Sequence, residues 1–128
     1  MTAHAYPDCI TIEPVSAPVD AEVLLPGSKS YTNRALILAA LANGRSTINA
    51  ALFSDDTHYM ADSLRRLGIR VEEDAAAKRF IVDGASGRIP ATTANLFVGN
   101  SGTTARFITA LLALGRGQYV VDGVERMR

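Results

Sequence analysis

The chain has 128 residues, 48% of them apolar, which is the size of one ordinary domain with enough apolar side chains for a hydrophobic core. Its 13 basic residues balance its 13 acidic ones, so no net field favours nucleic acid or an anionic membrane as a partner. One cysteine, Cys9, excludes an internal disulfide, and the two histidines, His4 and His58, lack the spacing of a metal site.

The N-terminus, MTAHAYPDC, lacks the basic segment and apolar core of a targeting signal. The longest uninterrupted apolar run, Ala35 to Ala42, is far shorter than the about 20 residues that cross a bilayer. We therefore expect a soluble cytoplasmic protein.

The first elements follow from the stretch LPGSKSYTNRALILAALANG. Glu22–Leu25 predicts a short strand that ends at Pro26-Gly27. Ser28 or Ser30 can cap the helix predicted by the apolar run that follows, and Asn43-Gly44 is expected to close that helix.

Alternation of apolar and polar residues from Ile48 to Leu52 predicts a second strand. Ser54-Asp55-Asp56-Thr57 then supplies cap residues and negative charge for a second helix that ends at Gly68. Strands are predicted at Ile69–Glu73 and Arg79–Asp83, joined by the turn Asp74–Lys78. The predicted order is strand, helix, strand, helix, strand, strand.

The same order begins again after the loop Gly84–Thr93, and Ile37–Gly44 aligns with Ile108–Gly115 as in an internal duplication. The predicted elements are a strand at Asn95–Val98, a turn at Gly99–Thr103, a helix at Ala105–Leu114 closed by Gly115 and a strand at Gln118–Asp122. No helix is predicted in Val124–Arg128. The second copy therefore stops in the middle of a unit, which indicates a fragment or one half of a larger protein.

The opening stretch has the chemistry of an anion site. N–H groups at a helix start lack partners within the helix, and the helix dipole adds positive charge there. A turn of small residues lets an anion approach, while Lys29, Ser30 and Arg34 add an ammonium, a hydroxyl and a guanidinium. Alternatively, the positive charges have an internal partner in Asp55 or Asp56. The sequence contains neither a Walker loop nor a dinucleotide fingerprint.

A second turn of small residues, Gly99–Thr103, also precedes a helix and is followed by Arg106. Two such turns predict two anionic groups held side by side. Asp55-Asp56 is typical of a helix N-cap pair, although either residue could orient Lys29 or a substrate hydroxyl. Taken without context, Arg126 and Arg128 are typical of solvated charges.

Four motifs in order, LPGSKSYTNRALILAALANG, LFSDDT, GNSGTTAR and DGVERMR, resemble the N-terminal portion of the 5-enolpyruvylshikimate-3-phosphate (EPSP) synthase family, from about Ile12 to Arg128. Ser101 stands where many members have alanine. The resemblance implies transfer of the enolpyruvyl group of phosphoenolpyruvate to the 5-hydroxyl of shikimate 3-phosphate, with release of phosphate. It implies no metal and no organic cofactor.

The resemblance also implies roles for individual residues. Lys29 and Asp56 would be catalytic. Lys29, Ser30 and Arg34 would bind shikimate 3-phosphate. The predicted phosphoenolpyruvate site consists of Lys29, Asn100, Gly102, Thr103 and Arg126.

The fold implied is α/β, with repeated βαβαββ units forming an inside-out α/β barrel, of which about one and a half units are present. Residues 1–18 would belong to the other domain, residues 19–84 would form the first unit and residues 85–128 an incomplete second unit. The family's remaining carboxylates lie in a C-terminal domain. We therefore predict that the isolated chain is inactive and that its partner is the complementary C-terminal portion.

Two alternatives remain at this point. One is the sister enolpyruvyl transferase acting on UDP-N-acetylglucosamine, whose lysine is followed by asparagine where this chain has Ser30, and which lacks the SDDT and GNSGT motifs. The other is a phosphate-binding module without turnover.

Overall fold

The computed structural model describes residues 7–128; His4 and the first third of the predicted segment 1–18 lie outside the described residues. The fold is α/β, as predicted. In chain order the elements are α1 (Lys29–Leu41), β1 (Asn43–Ile48), α2 (Asp55–Arg66), β2 (Arg70–Asp74), β3 (Arg79–Ala85), β4 (Thr93–Phe97), α3 (Gly102–Leu112), β5 (Gln118–Asp122) and a 3₁₀ turn (Glu125–Met127).

The cap of α1 is Ser28, whose hydroxyl accepts a hydrogen bond from Tyr31 N. This decides between the two serines that the sequence offered. The predicted helix end at Asn43-Gly44 is wrong, because α1 ends at Leu41 and both residues lie in β1. Asn43 and Gly44 pair with Ala85 and Gly84 of β3, so both residues belong to a strand, although Asn and Gly are common at helix ends.

Two predicted strands are wrong. The sequence predicts a strand at Ile48–Leu52, but the observed strand β1 comes earlier, at Asn43–Ile48. Glu22–Leu25 forms no ladder with the described strands, and Leu24 and Leu25 are 91% and 85% exposed. A strand needs a neighbour for its backbone hydrogen bonds, and none is paired with this segment. The first copy therefore lacks its first strand here, and residues 8–26 are exposed along most of their length.

The helix α2 and the hairpin after it confirm the sequence prediction. Ser54 and Thr57 form a capping box at the start of α2. Strands β2 and β3 pair antiparallel, and β3 also pairs antiparallel with β1, which gives the order β1-β3-β2.

Strands β4 and β5 form a parallel pair connected through α3. The bounds of β5 are those predicted. Helix α3 begins three residues before the predicted start, because Ser101 accepts a hydrogen bond from Thr104 N and so caps the helix at Gly102.

The three helices pack on one another between the two sheets: α1 and α2 contact the three-stranded sheet, while α2 and α3 contact the parallel pair. The largest buried apolar side chains come from both halves and include Leu36, Met60, Leu64, Phe80, Leu96 and Ile108. Phe80 also stacks on Phe53, with ring centroids 4.5 Å apart. One core therefore fixes the three helices relative to one another. In the part of the chain described, no helix is both long and apolar enough to cross a membrane.

Candidate functional site

The start of α1 is held against the segment that leads into α2. Gly27 lies so close to this segment that an added Cβ would be 2.6 Å from Leu52 N. One turn further on, the buried hydroxyl of Thr32 accepts a hydrogen bond from the same Leu52 N at 3.0 Å. These two contacts place Lys29 beside the first turn of α2.

Asp56, in the first turn of α2, connects the starts of the other two helices. Its Oδ2 lies 3.4 Å from the Lys29 ammonium of α1, and its Oδ1 accepts a 2.6 Å hydrogen bond from Ser101, the cap of α3. The structure thus identifies Asp56 as the internal partner of Lys29; the N-cap of α2 is Ser54, so the prediction of an Asp55-Asp56 cap pair is wrong. The starts of three helices meet at one carboxylate.

Ser30 and Arg34 form a second contact pair on α1. The Arg34 guanidinium donates to the Ser30 carbonyl oxygen at 3.0 Å and also contacts the Ser30 hydroxyl. Its carbon lies 5.4 Å from the ring centroid of Phe107 on α3, a cation–π arrangement. Arg34 and Phe107 also line an open apolar pocket of about 210 Å³ on the surface. Arg34 remains exposed, so N–H groups of its fork are accessible to an anion.

The turn Gly99–Thr103 is packed against the protein at Gly99 and is open to solvent at Gly102. Gly99 has φ +57°, and the ring of Tyr59 packs directly against it. Asn100 and Gly102 are exposed, and a Cβ added at Gly102 would meet nothing within 4 Å. The N-terminus of α3 therefore opens onto accessible space, as an anion site requires.

Arg126 is brought near this turn by the backbone. Val124 N donates to Gly99 O at 2.9 Å, which joins the backbone just before the 3₁₀ turn of Arg126 to the first residue of the Gly99–Thr103 turn. Arg126 is exposed. No hydrogen bond or ion pair within residues 7–128 joins it or Arg34 to Lys29 or Asp56.

Arg128 is a solvated charge, as predicted, with a side chain that is 64% exposed, and it also forms an ion pair at the surface. It holds Asp122 through two hydrogen bonds of 2.9 and 2.7 Å. The hydrogen bonds from Arg128, and to a smaller extent the one from the Gly123 N–H, hold the pKa of the Asp122 carboxyl below its ordinary value. The same bonds to Asp122 raise the pKa of Arg128.

The structure therefore brings together two pairs of the predicted residues, Lys29 with Asp56 and Ser30 with Arg34, while Asn100, Gly102 and Thr103 share one turn, to which the segment of Arg126 is joined through the Val124–Gly99 backbone bond. Sequence reasoning missed the part played by the Ser101 and Thr104 hydroxyls. Their spacing in S-G-T-T, a serine three residues before a threonine at a helix start, was the available signal. Among residues 7–128, no three His, Cys, Asp or Glu side chains are grouped so that they could hold a metal ion.

Relatives of known name match nearly the whole chain. A 3-phosphoshikimate 1-carboxyvinyltransferase from Trichormus variabilis is 54% identical over 121 residues, and one from Rhizobium leguminosarum bv. trifolii is 51% identical over 119. These matches cover 94% and 93% of this chain but 28% of each relative, so the chain spans little more than a quarter of their length. The matched portion is N-terminal.

A solved structure of EPSP synthase from Acinetobacter baumannii has the same fold over 80% of this chain and 23% of its own, with a TM-score of 0.68 and 25% identity. The sequence model for EPSP synthase (3-phosphoshikimate 1-carboxyvinyltransferase) matches residues 14–128. The motifs, the fold and these matches agree: the chain belongs to the EPSP synthase family.

Proposed function

We propose that this chain supplies the N-terminal part of the active site of a 3-phosphoshikimate 1-carboxyvinyltransferase. The observation that carries the proposal is the meeting of three helix N-termini at Asp56, with Lys29 Nζ 3.4 Å from one carboxylate oxygen and Ser101 Oγ 2.6 Å from the other. Helix N-termini and nearby cations favour anionic ligands, and both substrates of this reaction are anions. The two turns predicted from the sequence open beside this carboxylate.

Lys29, Ser30 and Arg34 would hold shikimate 3-phosphate. Lys29 is half-exposed and Arg34 is exposed, so both can reach a ligand without unfolding the helix. The guanidinium fork can bind a phosphate through two hydrogen bonds, whereas the ammonium acts as a mobile point charge. The Arg34 guanidinium also contacts the Ser30 hydroxyl, which supports a shared role of the two side chains at this phosphate.

Phosphoenolpyruvate would bind at the second turn, through Lys29, Asn100, Gly102, Thr103 and Arg126. The open space in front of Gly102 supports this assignment, since a ligand oxygen can approach the N–H groups of α3 there. The bond between Val124 and Gly99 supports the place of Arg126 next to the same turn.

In the reaction, phosphoenolpyruvate gains a proton at its methylene carbon and the 5-hydroxyl of shikimate 3-phosphate attacks the adjacent carbon. The tetrahedral adduct then loses phosphate, and loss of a proton from the methyl group regenerates the double bond. Cations that hold both substrates bring the hydroxyl and the carbon together and neutralise negative charge. Lys29 and Asp56 would be the catalytic residues of this portion, with Asp56 orienting the ammonium.

The rest of the site would come from the complementary C-terminal portion, because this chain spans 28% of its relatives. Residues 19–84 and 85–128 would be successive units of one domain, the second incomplete, and residues 1–18 would pair with the other domain. The exposed apolar side chains of Ile10 and Ile12 support this last assignment, since they need a cover. We place the protein in the cytoplasm, which the single exposed thiol of Cys9 supports.

The test is phosphate release from shikimate 3-phosphate and phosphoenolpyruvate, measured with this chain alone and with the C-terminal portion of a homologous enzyme added. We expect turnover only in the mixture. The C-terminal portion must first be shown to work with its own N-terminal portion. Silence of the mixture under that control would contradict the proposal, and phosphate binding without turnover would favour a binding module.

A further inference from the structure

Ser101 occupies a buried position between the two anion turns. It is 1% exposed, and its hydroxyl donates to Asp56 Oδ1 at 2.6 Å while accepting from Thr104 N at 3.2 Å. A bond of 2.6 Å between a hydroxyl and a carboxylate has the length of a charge-assisted hydrogen bond, about twice as strong as a neutral one. The hydroxyl therefore has a fixed direction, set by the first turn of α3.

A second hydroxyl supports the first. Thr104 is fully buried, and its Oγ1 lies 2.8 Å from Ser101 Oγ and 3.1 Å from the backbone oxygen of Asp56. A hydroxyl carries one proton, and the charged carboxylate at 2.6 Å is a stronger acceptor of the Ser101 proton than Thr104 Oγ1 at 2.8 Å. The Thr104 proton is then left for Ser101 Oγ or for the Asp56 backbone oxygen, and either choice keeps the Ser101–Asp56 bond. Helix α3 thus holds one oxygen of the Asp56 carboxylate and leaves the other pointing at Lys29.

Lys29 has no comparable support of its own. Its side chain is 49% exposed on a flexible four-carbon stem, and Asp56 Oδ2 is the one hydrogen-bond acceptor of its ammonium within residues 7–128. A contact of 3.4 Å is long for a charged hydrogen bond. The direction of the ammonium therefore depends on the orientation of the Asp56 carboxylate.

We infer that Ser101 is a positioning residue: it orients Asp56 and, through it, directs the Lys29 ammonium toward the anion turns. This inference rests on the proposed function for the part that Lys29 plays with substrate. The orientation itself is a property of the chain without ligand. It connects α1 and α3, which otherwise present their anion sites independently.

The test uses three variants of the chain, with side-chain carbon-13 signals of Asp56 and Lys29 recorded at neutral pH and low salt. Ser101→Ala removes the hydroxyl, and Ser101→Thr restores it. Ser101→Gly is the matched control for the helix cap, because glycine caps a helix almost as well as serine but donates no hydrogen bond. Asp56→Asn provides the reference spectrum for Lys29 without its charged partner.

We expect the Asp56 carboxyl signal to move in Ser101→Ala and in Ser101→Gly, the Lys29 ε-carbon signal to shift toward its position in Asp56→Asn, and Ser101→Thr to keep both. With the C-terminal portion added, Ser101→Ala should raise KM for shikimate 3-phosphate by less than about tenfold, and by less than Lys29→Ala does, because the lost hydrogen bond positions Lys29 and does not contact substrate. Unchanged Lys29 signals in Ser101→Ala and Ser101→Gly would overturn the inference. If the variants show the expected signal shifts but the mixture with the C-terminal portion shows no turnover, the positioning role is supported and the proposed function is overturned.

Discussion

The Lys29 ammonium and the Asp56 carboxylate lie 3.4 Å apart although 27 positions separate them in the chain. The Lys29 side chain is 49% exposed, so the pair contributes little to stability in water. Its consequence is geometric, because it joins the first turns of α1 and α2 where the dipoles of both helices favour anions. The Lys29 ammonium is therefore already directed toward the place where a ligand anion would bind.

Replacing Lys29 by alanine should weaken shikimate 3-phosphate binding about 10- to 100-fold without altering the fold, because a charge-assisted contact contributes ~1.5–3 kcal/mol. Arg34→Ala should behave similarly. The control is Arg116→Ala, since Arg116 is an exposed cation in the loop before β5. Calorimetry on the complemented enzyme measures the affinities. Equal affinity in the Lys29 and Arg116 variants would remove Lys29 from the site.

Gly99→Ala should lower the free energy of unfolding by at least ~1–3 kcal/mol. Gly99 has φ +57°, which alanine rarely adopts. A Cβ added there would overlap ring carbons of Tyr59 and would lie 2.8 Å from the Tyr59 hydroxyl oxygen. Gly102→Ala is the matched control, because a Cβ there would meet nothing within 4 Å and alanine suits a helix start. Urea unfolding followed by circular dichroism gives both values. Similar stability of the two variants would show that the turn can rearrange.

Ser63→Ala should leave the free energy of unfolding unchanged or raise it by about 1 kcal/mol. The Ser63 hydroxyl is buried and has no hydrogen-bond partner within residues 7–128, and alanine is the better helix former. Thr57→Val provides the contrast, because the Thr57 hydroxyl donates to Ser54 O and accepts from Ser54 N, both at 2.9 Å, and its loss should cost ~1–2 kcal/mol. The same urea titration compares them. Destabilisation by Ser63→Ala would reveal a partner for this hydroxyl.

The hairpin between β2 and β3 should add to stability at neutral pH and lose that contribution in acid. The Ala77 N–H, and after it Arg79, hold the pKa of Asp74 below its ordinary value of 3.8. The folded chain therefore favours the ionised carboxylate; its contribution is present above that ordinary pKa and disappears as pH falls through the lowered one.

Asp74→Asn should accordingly flatten the stability curve below about pH 4, where the wild-type carboxylate becomes protonated. Arg79→Gln should flatten it less, because the Ala77 N–H remains. Thermal unfolding between pH 2 and pH 7 measures the effect. An Asp74→Asn curve parallel to that of the unchanged chain would contradict the assignment.

Local signals in the sequence were sufficient for several elements. Helix α2, the β2–β3 hairpin and β5 follow from patterns within a few residues: a serine cap, apolar residues at helical spacing and alternation along a strand. The four motifs also identified the family, since their residue types and order are specific. Site roles taken from that resemblance remain proposals.

Other features depend on residues distant in sequence. Asn43-Gly44 reads locally as a helix end, but pairing with Ala85 and Gly84 makes it part of β1. Glu22–Leu25 reads as a strand, but a strand forms only where a neighbour accepts its hydrogen bonds. In each case the presence or absence of a pairing strand outweighs the local preference of the residues.

The sequence by itself determined the α/β class, the serine cap of α2 and the residue types of two anion turns, because these depend on short-range periodicity and chemistry. Only the tertiary structure decided that Asp56, rather than Asp55, faces Lys29 and that Ser101 holds its other oxygen. These contacts join three helix starts across 27 and 45 positions of chain. No local pattern encodes such contacts, since the shared packing of the helices in one core sets their separation.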